Sequence, residues 1–154
     1  RDQVLPDQIH NFAHNNEWLI RNLINVGRWR DAADLAKNMT ELPRHPKYNT
    51  LRRGSGRYGR MRLFDVLKKY EQWDEIIELC HQPYLEPSEI ESEQIKRLRY
   101  LGVAYANIGD SKKANEVIAQ MGTRNNAAAR VVRSRPPFSL SMRAFSLPLQ
   151  IVSR

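Results

Sequence analysis

The feature that most narrows what this chain can fold into is a turn pattern that occurs three times. Gly27-x-Trp29-x-x-Ala32 recurs as Glu71-x-Trp73-x-x-Ile76 and again as Gly109-x-Ser111-x-x-Ala114, at spacings of 44 and then 38 residues. Each turn lies between two apolar stripes of helical period. Trp18, Leu19, Leu23 and Val26 precede the first, and Ala32, Ala33, Leu35, Ala36 and Met39 follow it. Leu63, Phe64, Leu67 and Tyr70 precede the second, with Ile76, Ile77, Leu79 and Cys80 after it. Leu98, Leu101, Tyr105 and Ile108 precede the third, with Ala114, Val117, Ile118 and Met121 after it. Two helices joined by a short turn form a hairpin whose apolar stripe cannot be buried alone, so three hairpins are expected to stack.

The third unit carries a recognisable motif. Leu101-Gly102, Tyr105, Gly109 and Ala114 resemble the tetratricopeptide family pattern, which has Leu-Gly and an aromatic in its first helix, glycine at the turn and alanine early in its second. Leu23, Gly27, Trp29 and Ala32 match it more thinly, and the second unit departs from it at Glu71 and Ile76. The resemblance covers residues 12–122 as a shape and about 97–121 as a sequence motif. It implies an all-α fold of three antiparallel helix pairs, stacked as a short tetratricopeptide-like superhelix with an irregular C-terminal tail. Trp18, Leu23, Trp29, Leu67, Trp73, Leu101, Tyr105 and Ile118 are the expected core.

Around that body the sequence predicts an N-terminal arm (1–11), the helical repeat domain (12–122) and a basic tail containing Pro and Ser (123–154). Within the domain, residues 44–62 hold Pro46, Gly54, Gly56 and Gly59 with little periodic apolar signal. They are read as a structured loop, with helix resuming at Met61. Asp74 and Glu75 suit the positive end of the following helix, and Pro83 ends it. In the acidic linker, Ser88 with Glu91 three residues on resembles a capping box. Gly122 is expected to close the last helix. In the tail, Phe138, Leu140, Met142 and Ala144 share a period of two that suits a short extended segment, while the crowding of Ser, Pro and Arg suits a disordered or an added peptide equally.

The 154 residues carry 25 Lys or Arg against 17 Asp or Glu, a formal charge of +8. The excess is local. Residues 1–123 hold 19 basic and 17 acidic side chains, and residues 124–154 hold six arginines and no carboxylate. Inside the body, seven basic residues and no acidic one fall between Arg44 and Arg62. A polyanion surface is therefore confined to that loop and the tail, and the acidic stretch from Glu71 to Glu93 is placed to neutralise the loop.

Several chemistries are excluded. One cysteine supports neither an intramolecular disulfide framework nor a thiolate-rich metal site. Cys80 ends an apolar stripe and reads as a buried small hydrophobe. His10 and His14 share a helical face, but Asp7 is the only further ligand nearby, so no metal is expected. Gly54-Ser55-Gly56-Arg57-Tyr58-Gly59-Arg60 follows no strand and lacks the residues of a nucleotide fingerprint; it reads as a loop that caps the first hairpin, with a generic anion or peptide contact as the alternative. The carboxylates Glu71, Asp74, Glu75 and Glu78 read as an exposed helix face rather than an acid/base pair. No apolar run reaches the roughly 18 to 20 residues of a membrane span. No catalysis and no cofactor are expected.

The resulting expectation is a non-catalytic protein- or peptide-binding, scaffolding helical repeat module. Because position 1 is Arg, it is read as part of a larger protein or assembly, whose catalytic centre, if it has one, lies elsewhere. The resemblance points to polar residues of the first helices, namely Asn15, Asn22, Asn25, Arg62, Lys69, Arg99 and Asn107, as partner contacts. The alternative is a nucleic-acid-binding module that uses Arg52, Arg53, Arg57, Tyr58, Arg60 and Arg62 together with the tail arginines. Three hairpins are near the lower limit for a stable solenoid, so self-association is a further expectation. Nothing in the sequence assigns a compartment, and the cytoplasm stands only as the default.

Overall fold

The structure, a computed structural model, describes residue 5 and residues 9–133, with side chains through residue 124. It is all-α. The helices are α1 (His10–Asn25), α2 (Trp29–Glu41), α3 (Ser55–Lys69), α4 (Trp73–Cys80), α5 (Glu91–Asn107) and α6 (Ser111–Arg133), with a 3-10 turn at Pro83–Leu85. No strand occurs among the described residues, only isolated bridges between His45 and Asn49 and between Thr50 and Arg53. α2 packs along α3, α5 along α6, α1 along both α2 and α3, and α4 along α5.

The three aligned turns share one backbone solution. After α1, the Arg28 N–H donates to the Leu23 carbonyl (2.9 Å) and the Gly27 N–H to that of Ile24. After α3, Gln72 donates to Leu67 (2.9 Å) and Glu71 to Lys68. After α5, Asp110 donates to Tyr105 (2.9 Å) and Gly109 to Ala106. Each is a Schellman motif, which requires a left-handed residue just past the helix to satisfy the last carbonyls. Gly27 and Gly109 take it at φ 84, and Glu71 takes it at φ 54. A side chain in that conformation costs about 1–2 kcal/mol. Glu71→Gly is therefore expected to raise stability by about 0.5–1 kcal/mol once glycine's greater freedom in the unfolded chain is subtracted. A shift of the urea midpoint to higher concentration with unchanged slope is the expected readout. A shift to lower concentration would mean that the Glu71 side chain contributes more than its backbone costs.

The core runs through all six helices, and Leu67, Leu101 and Tyr105 lie in it as expected. Leu23, Trp29 and Trp73 are half-buried against it. Trp29 stacks on Tyr70 at 6.0 Å between centroids. Two expected core residues are instead exposed, Trp18 at 55% and Ile118 at 60%. For α1 the reason is that its inner face is formed by Ala13, Glu17, Ile20 and Ile24. Glu17 accepts from Arg62 Nε at 2.7 Å, and that pairing lets a carboxylate occupy an inward position. The bulkier stripe of Trp18, Leu19 and Val26 is thereby turned outward.

The 44–62 segment is not one loop. α3 begins at Ser55, so its second half is helical. Gly59 is present for space rather than for a turn. A Cβ there would lie 2.7 Å from the Ala36 carbonyl oxygen and 2.8 Å from Met39 Cβ, so the missing side chain is what lets α2 approach α3. The capping box is also displaced. Ser88 Oγ accepts from the Ile90 N–H (3.1 Å), and Gln94 Oε1, not Glu91, reaches back to the Ser88 N–H (2.8 Å). α6 continues through Gly122 to Arg133, which removes the expected break there. The expected extended segment at Phe138–Ala144 lies outside the described residues. Among those residues no helix is long and apolar enough to cross a membrane.

Candidate binding site

The site is built by the segment between α2 and α3, and one side chain organises it. Asn49 is fully buried. Its amide nitrogen donates to the carbonyls of Pro43 (2.8 Å) and Leu42 (3.3 Å), and its amide oxygen accepts from the Gly56 N–H (2.7 Å). The backbones of His45 and Asn49 exchange two hydrogen bonds at 3.0 Å, and Thr50 donates to Arg53 at 2.9 Å. The exit of α2 is thus tied directly to the entry of α3. Gly54, at φ 78, supplies the bend between them.

Tied in this way, the segment meets the start of α1 around a cleft of about 470 Å³. Tyr48, Arg52, Arg53, Arg57 and Tyr58 line it from one side, and Ile9 and His10 from the other. The Arg57 guanidinium lies over the Tyr58 ring at 5.5 Å, and Lys47 lies over Tyr48 at 5.2 Å. His10 stacks on His14 at 5.6 Å, and His14 approaches Tyr58 at 6.4 Å. Arg52, Arg53 and Arg57 are exposed, and among the described residues no ion pair or hydrogen bond engages their guanidiniums.

The rim of the cleft carries both charges. A hollow of about 810 Å³ lies between Lys47, Arg52 and Arg53 on one wall and Glu86 and Glu89 on the other. A second, of about 440 Å³, has Arg52 and Arg57 facing Glu91 and Glu93. Glu91 is already paired with Arg124 (3.1 Å) and Glu93 with Lys96 (3.2 Å).

Two arginines expected on this surface are absent from it. Arg60 is 2% exposed and donates to the backbone carbonyls of Glu86 (2.6 Å) and Tyr84 (3.4 Å). Burial, reinforced by the charge of Arg97, pulls its pKa below the ordinary value. Arg62 is half-buried, engaged by Glu17 and by Asp65 at 2.7 Å. Both are structural because helix α3, not a loop, carries them inward. The first-helix residues Asn15, Asn22, Asn25, Lys69, Arg99 and Asn107 are exposed but line none of this cleft. Lys69 contacts Asn25 at 3.5 Å across α1 and α3, and Asn107 donates to its own helix at Val103 (2.8 Å).

Other candidate chemistries find little support in the geometry. Cys80 is buried, and desolvation pushes its thiol pKa up, away from the reactive thiolate. Glu75 is committed to Lys37 at 2.8 Å. Among the described residues no group of His, Cys, Asp and Glu is arranged to hold a metal ion. Sequence reasoning missed His10 and Tyr48 as cleft walls, and it missed Asn49 altogether. The only available signal was an Asn set between two tight-turn segments, which is common in loops. No family model, curated protein or solved structure matches the chain.

Proposed function

We propose that this chain is a non-catalytic protein- or peptide-binding module, with its three helix pairs stacked in the tetratricopeptide manner. The shared Schellman geometry at Gly27, Glu71 and Gly109 supports the repeat reading. The functional reading is carried by the mixed-sign relief around Arg52, Arg53 and Arg57, with Glu86, Glu89, Glu91 and Glu93 on the facing walls. A nucleic-acid backbone carries one sign of charge along its length and would meet those carboxylates wherever it left the cleft. A polypeptide carries both signs and apolar side chains, and it can match such a surface locally. The aromatic faces of Tyr48 and Tyr58 suit either class. The withdrawal of Arg60 and Arg62 into the interior shortens any basic track and favours the polypeptide.

The test is binding of the chain to an array of unmodified random peptides and, separately, to mixed single-stranded oligonucleotides at about 150 mM salt. Sequence-selective peptide retention with negligible oligonucleotide binding is expected. The nucleic-acid reading replaces it if oligonucleotides bind tightly, with an affinity whose logarithm falls steeply with log salt and which is lost in the Arg52, Arg53 and Arg57 to Ala variant.

A further inference from the structure

The three cleft arginines are conspicuous for what they leave undone. Other arginines of the surface are paired, Arg28 with Asp31 at 2.7 Å and Arg62 with Glu17 and Asp65. Arg52, Arg53 and Arg57 lie beside hollows containing four glutamates, yet no ion pair joins them. Lys96 and Arg124 hold Glu93 and Glu91 instead. Among the described residues the three guanidiniums therefore have no ion-pair partner, and their residues line one cleft of about 470 Å³ with a surplus of N–H donors, while Glu86 and Glu89 stand across the neighbouring hollow. The segment that carries Arg52 and Arg53 is fixed in advance by the Asn49 hydrogen bonds, so little ordering is needed when a ligand arrives.

That demand exceeds what one carboxylate provides. A carboxylate offers a single charge and two oxygens. A phosphomonoester offers about −1.5 to −2 charges at neutral pH and three terminal oxygens, and planar guanidinium forks bind it bidentately. The flanking rings of Tyr48, Tyr58 and His10 add flat apolar walls against which a peptide chain can lie.

We propose that this cleft is a phosphate-recognition site that receives a phosphorylated side chain of a partner protein, with Arg52, Arg53 and Arg57 as the phosphate ligands. The inference rests on the peptide-binding reading above and narrows it to a modified partner. Phosphorylation of the partner then switches its attachment, because the unmodified hydroxyl gives the three guanidiniums nothing to bind.

The probe is a short fluorescein-labelled glycine–serine peptide bearing one phosphotyrosine, compared with its unphosphorylated form, its glutamate-substituted form and inorganic phosphate. Titrations are followed by anisotropy and by NMR shifts of the arginine Nε–H groups, with competition for the unlabelled ion. The phosphopeptide is expected to bind at least about tenfold more tightly than the other three. Its binding should shift the Nε–H signals of Arg52, Arg53 and Arg57, and R52Q/R53Q/R57Q should lose it at least about tenfold while the helical circular dichroism is unchanged. Equal binding of the unphosphorylated or glutamate peptide, or unaltered binding by the triple variant, would overturn the proposal. Inorganic phosphate binding as tightly as the phosphopeptide would overturn its protein-borne source. If the phosphopeptide gains nothing over its unphosphorylated form while the array still retains unmodified peptides, the peptide-binding reading stands and only the phosphate inference falls.

Discussion

Asn49→Ala is expected to cost about 3 kcal/mol of stability, a large share of what a domain of this size has. The substitution removes one side chain but strands three backbone groups, the Gly56 N–H and the carbonyls of Leu42 and Pro43. Each buried group left without a partner costs about 1–3 kcal/mol. Water can reach Pro43, which is exposed, so the total falls in the lower half of that sum. Asn49→Asp is the sharper variant. Its oxygens keep the acceptor for Gly56 but set a carboxylate against two carbonyl oxygens where an NH2 group had donated, so it should be nearly as damaging. Urea unfolding of the three proteins provides the measurement. A loss below about 1 kcal/mol for both variants would mean that the segment is held by its backbone bridges alone. Because Arg52 and Arg53 ride on this segment, Asn49→Ala should also weaken ligand binding under conditions where the helices remain folded.

The turn alignment shows what was legible in this chain and why. A Schellman turn is a local structure, fixed by a left-handed residue and the two hydrogen bonds around it. Gly27, Glu71 and Gly109 therefore mark equivalent positions even though Glu71 is the wrong residue type. What could not be read depended on partners distant in sequence. The bulk of Trp18 and Leu19 suggested the inner face of α1, but the inward position of Glu17 is created by Arg62, 45 residues away. Gly56 and Gly59 read as loop residues on propensity alone. Gly59 is small because α2 comes close at Ala36 and Met39, a contact that no pattern within residues 44–62 encodes, whereas Gly56 makes room for Arg44 and Asn49 of the preceding segment. The same limit applies to the site. Arg52, Arg53 and Arg57 are exposed, but Arg60, three residues on, shares their sequence context and lies inside. Only its carbonyl partners at Tyr84 and Glu86 separate it from them.

Those internal cations carry the second large expected effect. Arg97 is buried and donates to the carbonyls of Cys80 (2.6 Å) and Leu85 (2.7 Å), while Arg60 reaches Glu86 from the opposite helix. The segment from the end of α4 through the 3-10 turn is therefore clamped between guanidiniums from α3 and α5. It could not be buried otherwise, because carbonyls at a helix end have no partner within the helix. Arg97→Met keeps the length and apolar stem of the side chain and deletes both donors. It should cost about 3 kcal/mol, the sum of two hydrogen bonds from a charged group. Arg97→Lys should recover less than half of that, since an ammonium on a flexible stem cannot reproduce the fork spanning two carbonyls. The pH dependence identifies the kind of bond. A guanidinium held by a carboxylate loses that partner as pH falls through the carboxylate's pKa, so the penalty for deleting the arginine would shrink in acid. Carbonyl acceptors do not titrate. The penalty for Arg97→Met should therefore be equal, within error, at about pH 8 and at about pH 3.5, below the ordinary carboxylate range. An Arg97 penalty that shrank on acidification would show that a carboxylate, and not the backbone of residues 80–85, is what holds it.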